Sequence, residues 1–158
     1  MPLQTAVNLY QAEAVAGDRA SLNEIIYHTS NPLAVVDITV GTFVWIDGAE
    51  GLVNYGGSGK PLGFVERWLA YSSWHDSNSI NGTLVINKES QLQVARQGDF
   101  WAICKTAAVI GQKIFASTID GTISAADAGD TVADSVETDW MVKTDGDAGD
   151  LIIISSWN

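Results

Sequence analysis

The sequence predicts an all-β protein: a jelly roll, β-sandwich or barrel of about nine short strands with an extended N-terminal arm. Short runs rich in Val, Ile, Phe, Trp and Thr recur along the chain, as is typical of strands. Turn-forming pairs such as Asn81-Gly82 and Asp120-Gly121 separate these runs. A length of 158 residues suits a single domain with its own core.

The arm is predicted over residues 1–30, ahead of one β-rich domain over residues 31–158. The stretch Met1–Tyr10 has apolar positions but neither a helical face nor dense turns, which fits an extended arm. An edge strand or an ordinary chain terminus is the alternative. Two stretches, Ala12–Ala16 and Leu22–Ile26, are predicted to be helical, although both are too short to carry a core.

The strands of the domain follow in order, with a polar loop over Ser72–Gly82 between the third and the fourth. The alternation over Gln91–Arg96 predicts a strand with one face in solvent. Leu151–Ile154 is apolar at every position, so this strand is either central between two sheets or covered by another chain. We predict strands over Leu33–Val40, Thr42–Asp47, Gly63–Ala70, Thr83–Ile86, Leu92–Ala95, Phe100–Lys105, Lys113–Ser117, Thr138–Lys143 and Leu151–Ser156.

The net charge of −11 argues against two classes of partner. Nucleic acid needs a basic footprint for its phosphates, and an anionic membrane surface attracts basic segments, so we expect neither as a partner. The charge is also uneven. Nine carboxylates and one base, Lys143, lie between Asp120 and Asp150, so this acidic segment carries −8 of the net −11.

The start of the chain, Met1–Ala16, lacks the basic residues and the apolar run of a signal peptide, and no run of about twenty apolar residues occurs. We therefore expect a protein made in a cytosol. The lone Cys104 sits in an apolar run and is predicted to be a buried, inert thiol.

The residues also give no recognisable catalytic set, so we expect no enzyme and no cofactor. Gly56–Pro61 resembles a phosphate-binding loop but lacks its first glycine and the Ser or Thr after the lysine, so a flexible turn is predicted. His28 and His75 have no metal-binding spacing. A small enzyme would need a pocket joining one of them to acids.

Alternate carboxylates over Asp145–Asp150 are the pattern that holds calcium, but the closing glutamate of a calcium loop is missing. We predict a hairpin loop there and no metal. Among the tryptophans, those at positions 45, 101, 140 and 157 are predicted to be core residues. Trp68 and Trp74 bracket Tyr71-Ser72-Ser73, where the sequence becomes polar, and suit either a protein interface or a sugar-binding surface.

The order of short motifs in the C-terminal part resembles the structural cement, or head decoration, proteins of tailed bacteriophages. The resemblance covers residues 90–157, and residues 35–65 more loosely. Its specificity lies in the order of the motifs, since each one is short. They are Gln97–Ala102, Ala108–Ala116, Asp120–Ser124, Ala128–Val132, Glu137–Val142 and Gly149–Ser155.

This resemblance implies a non-enzymatic virion protein, assembled in the host cytoplasm, that lies on the outer surface of the capsid. Its implied partners are the major capsid protein and copies of itself, as a dimer or trimer, and its implied action is to clamp neighbouring capsomers. The predicted contacts, with the capsid or a sister subunit, are Leu3, Val7, Leu9, Tyr10, Trp68 and Trp74.

Two further questions stay open. The acidic segment either faces outward and keeps particles apart or pairs with basic residues of the capsid. A rival function is a carbohydrate- or receptor-binding β-module of a phage particle, for instance part of a fibre.

Overall fold

A computed structural model describes residues 14–49, 51–68 and 84–157. Within these ranges the chain forms β-strands joined by turns, with no helix, and hence no helix able to cross a membrane. The strands are β1 (Ile26–Tyr27), β2 (Leu33–Ala34), β3 (Ile38–Thr39), β4 (Phe43–Ile46), β5 (Leu52–Asn54), β6 (Gly63–Val65), β7 (Val85–Ile86), β8 (Val94–Gln97), β9 (Asp99–Ile103), β10 (Lys113–Ser117), β11 (Ile123–Ala126), β12 (Ser135–Val142) and β13 (Leu151–Ser155).

The strands form three sheets in a sandwich-like arrangement. One sheet has six strands in the order β1-β8-β6-β4-β5-β2, a second has five in the order β11-β10-β12-β13-β9, and β3 pairs with β7 in a third. All pairings are antiparallel except that of β2 with β5. The all-β prediction is confirmed.

The six-stranded sheet has core on both faces because successive side chains of a strand point to opposite sides. In β4, Phe43 and Trp45 join the core shared with the five-stranded sheet, whereas Val44 joins a second core that contains Ile38 of β3 and Ile86 of β7. This two-sided burial explains why the predicted strand over β4 is apolar at nearly every position.

The main core lies between the two large sheets and is rich in aromatic rings. Trp140 of β12 packs against Phe43, Phe64 and Phe100, with ring centroids 5.7 to 6.0 Å apart. Cys104 is buried in the same core as a free thiol. From β13, Ile152 and Ile154 also point into this core, while Leu151 and Ile153 alternate with them on the other face and are half-buried.

The edge of the five-stranded sheet at β9 is covered by the segment Gly17–Ala20. Its backbone bonds with β9 in both directions: Gly17 N–H donates to the Trp101 carbonyl at 2.7 Å, and Trp101 N–H donates to the Asp18 carbonyl at 2.8 Å. Exposed strand edges favour unwanted pairing, so this cover has a protective role. The described part of the predicted arm, from residue 14 on, therefore packs on the domain, whereas residues 1–13 lie outside the described residues.

Three local predictions were wrong. Leu22–Ile26 is not helical, because Ile26 begins β1 and pairs with β8; residues 14–16 of the other predicted helix are not helical either. The predicted strand Leu33–Val40 is two strands, which bend apart into different sheets. Strands β5 and β11 were not predicted, and each lies between turns with few large apolar residues.

Candidate functional site

A buried carboxylate fastens the segment that precedes β1 to the body of the domain. Glu66, which follows β6, is only 5% exposed. Its carboxylate accepts a hydrogen bond from Arg19 Nε at 2.7 Å and one from the Tyr27 hydroxyl at 2.5 Å, and Arg19 Nη2 also donates to the Tyr27 oxygen at 2.7 Å. Buried charges are tolerated when they are paired and hydrogen-bonded in this way.

The ionisation of these groups reflects the same contacts. Burial, together with the hydrogen bond and the negative charge of Glu66, raises the pKa of Tyr27 to about 12. The Glu66 carboxylate also raises the pKa of the Arg19 guanidinium. At neutral pH Tyr27 is therefore a neutral phenol and Arg19 a guanidinium, and both donate hydrogen bonds to Glu66.

A second carboxylate holds the loop before β1. The buried Asp99 accepts hydrogen bonds from the Ser21 hydroxyl and the Asn23 amide, both at 2.6 Å. Burial alone would raise the pKa of Asp99, but hydrogen bonds to its charged form prevail and the pKa lies below its usual value. Leu22 and Ile26 lie between Arg19 and Tyr27, the two residues that contact Glu66. The Leu22 side chain is fully exposed, and Ile26 is also exposed. An apolar side chain held out by a tethered loop suits contact with another protein.

Trp68 is the predicted interface residue that the structure describes. It is 48% exposed and follows Arg67, whose N–H donates to the Gly17 carbonyl at 2.9 Å and whose Nη1 contacts Asp18 at 3.1 Å. Residues 67–68 thus lie beside residues 17–18. The other predicted contacts, Leu3, Val7, Leu9, Tyr10 and Trp74, lie outside the described residues, as does His75.

Several exposed apolar residues were not singled out from the sequence. Leu22 is one, Val109 and Ile110 lie between β9 and β10, and Ile119 lies in the turn between β10 and β11. Apolar residues in turns are a usable sequence signal, because turns are ordinarily polar.

Many carboxylates of the acidic segment act as hydrogen-bond acceptors in turns. Asp120 accepts from Thr122 and pairs with Lys105 at 3.1 Å; these contacts outweigh the effect of burial and lower its pKa. Asp145 accepts from the Ile110 N–H at 2.7 Å, and Asp150 accepts from the Asp147 N–H at 2.9 Å. In the described ranges no group of three or more potential metal-binding side chains occurs.

The remaining candidates are scattered. His28 has both ring nitrogens buried without a hydrogen-bond partner and belongs to no group of three or more potential metal ligands in the described residues. Trp45 and Trp140 are buried, as predicted, whereas Trp101 and Trp157 are only half-buried. In the described residues, the candidate site therefore consists of exposed apolar side chains on a segment that hydrogen bonds hold to the domain.

Comparisons with known proteins give the family. Residues 3–156 match the family model described as the XM1 gp53 minor capsid protein. A chain from a structure titled "The capsid of Myoviridae Phage XM1" is similar in fold, with a TM-score of 0.67 and 17% identity, over 99% of this chain and 98% of that one. Among curated proteins, no sequence matches this chain.

A second solved structure, "The crystal structure of head fiber gp8.5 N base in bacteriophage phi29", matches with a TM-score of 0.51 and 13% identity, over 84% of this chain and 93% of that one. At such identities the two structures show a shared fold. The match to the family model covers nearly the whole sequence, and the chain belongs to the XM1 gp53 minor capsid protein family.

Proposed function

We propose that this chain decorates the outer surface of a tailed-phage capsid and stabilises the shell by clamping neighbouring major capsid protein subunits. Membership in a minor capsid protein family is the observation that carries the proposal. A protein of this kind acts through many contacts with its neighbours.

The fastened segment Arg19–Tyr27 supports the proposal. Two buried carboxylates, Glu66 and Asp99, fix this segment by four hydrogen bonds, so Leu22 and Ile26 are presented without much further loss of conformational freedom on binding. Contacts that are organised in advance bind better because less entropy is lost when the complex forms. Trp68, beside the start of this segment, adds an exposed aromatic anchor.

The N-terminal residues extend this surface in the proposal. Residues 1–13 precede the segment that packs beside residues 67–68, and we assign Leu3, Val7, Leu9 and Tyr10 to contacts with the capsid or a sister subunit. A small domain joined to a long arm reaches two neighbours at once, which is what a clamp requires.

The acidic segment faces outward in this proposal, so that decorated particles repel one another. Occupancy on the shell should then vary little with ionic strength. Salt-dependent release would instead favour pairing of these carboxylates with basic residues of the capsid, because screening weakens exposed ion pairs.

Reconstitution tests the proposal. Shells that lack this chain are mixed with the purified protein, and occupancy and the melting temperature of the shell are measured. We expect binding and a higher melting temperature with the full chain, and reduced occupancy when residues 1–15 are deleted. Full occupancy after that deletion would contradict the role of the arm, and binding without stabilisation would contradict the clamp.

The likeness to a head-fibre base favours a second candidate, a carbohydrate- or receptor-binding module of the particle. A glycan array and a cell-binding assay with the purified chain distinguish the two functions. Specific binding to glycans or cells, without stabilisation of the shell, would favour the second candidate.

A further inference from the structure

We propose that a cleft beside β4 and β8 binds a carboxylate-bearing segment of a neighbouring protein on the particle; this inference rests on the proposed function and names the chemistry of one partner. The cleft has a volume of about 390 Å³. Its lining includes the apolar side chains of Ile46, Pro61 and Leu62 and the polar side chains of Lys60, Arg96 and Ser58.

Trp45 and Gly57, which also line the cleft, make a close backbone-to-indole contact. A Cβ added to Gly57 would lie 2.7 Å from the Trp45 ring, so the glycine backbone packs directly on the indole. Trp45 Nε1 donates to the Gly59 carbonyl at 3.0 Å. The glycine-rich loop, which resembled a phosphate-binding motif in the sequence, is therefore held in place as a wall of this cleft.

The cations of the cleft are available to a ligand. Of the eight Lys and Arg side chains, five form ion pairs within the described residues, and exposed Arg96 is not among them. Lys60 pairs with Asp139 at 2.5 Å, but the two side chains are 60% and 73% exposed. Exposed pairs contribute little and exchange readily, so an incoming carboxylate can take the place of Asp139.

The chemistry of the cleft favours a protein segment over a sugar. Sugar rings are commonly bound by stacking on an exposed aromatic face, which this cleft does not offer, because the Trp45 indole is buried with its N–H already bonded. Instead, half-exposed Ile46 with Pro61 and Leu62 offers a surface for an aliphatic side chain. Two cations and several apolar side chains lining one cleft complement a segment in which a carboxylate neighbours an aliphatic residue.

The first experiment uses a defined probe on the full chain. A capped pentapeptide of alternating leucine and glutamate is titrated into the protein while the Arg96 Nε–H resonance is followed by NMR. We expect this signal to shift, and we expect a matched peptide with glutamine in place of glutamate to leave it unchanged. The affinities of the unmodified chain and its variants are compared by isothermal titration calorimetry, which does not depend on the Arg96 signal. Arg96→Gln should weaken binding by about tenfold or more, since it removes a charge-assisted contact.

Lys88→Gln is the matched control, because it removes the same charge from an exposed lysine outside the cleft whose ion pair with Glu89 spans 3.9 Å. Equal affinities for both peptides, or equal losses in Arg96→Gln and Lys88→Gln, would overturn the proposal. Preferential binding of a glucuronic acid disaccharide would also overturn it, since that result identifies a sugar site.

The second experiment separates the cleft from the function. Occupancy on shells is measured for the unmodified chain, Arg96→Gln and Lys88→Gln. We expect only Arg96→Gln to lose occupancy, whereas unchanged occupancy in all three would refute a role of the cleft on the particle. Failure of the unmodified chain to bind shells would instead refute the proposed function and, with it, a partner on the particle, and the peptide titration would then report only the chemistry of the cleft.

Discussion

Substitution of Gly121 by alanine probes the place where the two large sheets are joined. Gly121 lies in the turn between β10 and β11 with φ of +66°, and its carbonyl accepts a hydrogen bond from the Phe43 N–H of β4 at 2.9 Å. An added Cβ would lie 2.2 Å from the Phe43 carbonyl oxygen and 2.8 Å from the Tyr55 ring. These distances are too short for real contacts, so the turn and β4 must move apart.

The magnitude follows from a comparison with Gly129→Ala. Gly129 has φ of +83° but nothing within 4 Å of an added Cβ, so this variant tests the backbone strain alone. That strain costs about 1–2 kcal/mol and is partly offset by the stiffer unfolded chain. Gly121→Ala adds overpacking of about 1–3 kcal/mol and weakens a backbone hydrogen bond by about 1 kcal/mol. We therefore expect it to be less stable than Gly129→Ala by about 2–4 kcal/mol.

Thermal unfolding followed by circular dichroism measures this difference. At this chain length, each kcal/mol shifts the melting temperature by about 2–4 °C, so Gly121→Ala should melt about 4–16 °C below Gly129→Ala. Equal melting temperatures for the two variants would refute the packing of the β10–β11 turn against β4.

Three other variants test the scaffold. Glu66→Gln should destabilise the protein by about 1–3 kcal/mol in urea, because Arg19 loses its carboxylate, whereas the exposed Glu89→Gln should have almost no effect; equal losses would contradict the buried cluster. Because the pKa of Tyr27 is raised, the contribution of this residue to the stability of the fold is fully present below pH 10, the usual pKa of tyrosine. That contribution is lost as the pH rises to about 12, the pKa in the folded protein. Tyr27→Phe should remove that alkaline loss, and an unchanged pH profile would argue against the contact. Trp140→Ala should cost about 3–5 kcal/mol in urea, since the ring fills the centre of the main core, and a loss below about 1 kcal/mol would contradict its central position.

Strands with strong apolar patterns were predictable, and those defined by distant partners were not. The sequence runs at β4, β9, β10 and β13 have enough large or β-branched residues to identify a strand without context. The break between β2 and β3 was not predicted, because no residue pattern within an apolar run indicates where the chain passes from one sheet to another. Local propensity in Leu22–Ile26 favoured a helix, but pairing with β8 overrides it.

The candidate site shows the same division. Exposed Trp68 was predictable, because a tryptophan at the start of a polar stretch has few places to be buried. The exposure of Leu22 was not predictable, since an apolar residue in a short predicted helix ordinarily indicates burial. Its exposure depends on Asp99, about eighty residues away along the chain, which holds Ser21 and Asn23. Contacts over such separations are set by the fold and leave no local pattern.

Cryo-electron microscopy of phage particles that contain this chain tests the central claim most directly. We predict density of this fold on the outer surface of the shell, with Leu22, Ile26 and Trp68 within contact distance of major capsid protein subunits and the chain touching at least two of them. Density on the inner surface of the shell, or density that contacts a single capsid subunit, would contradict the clamp.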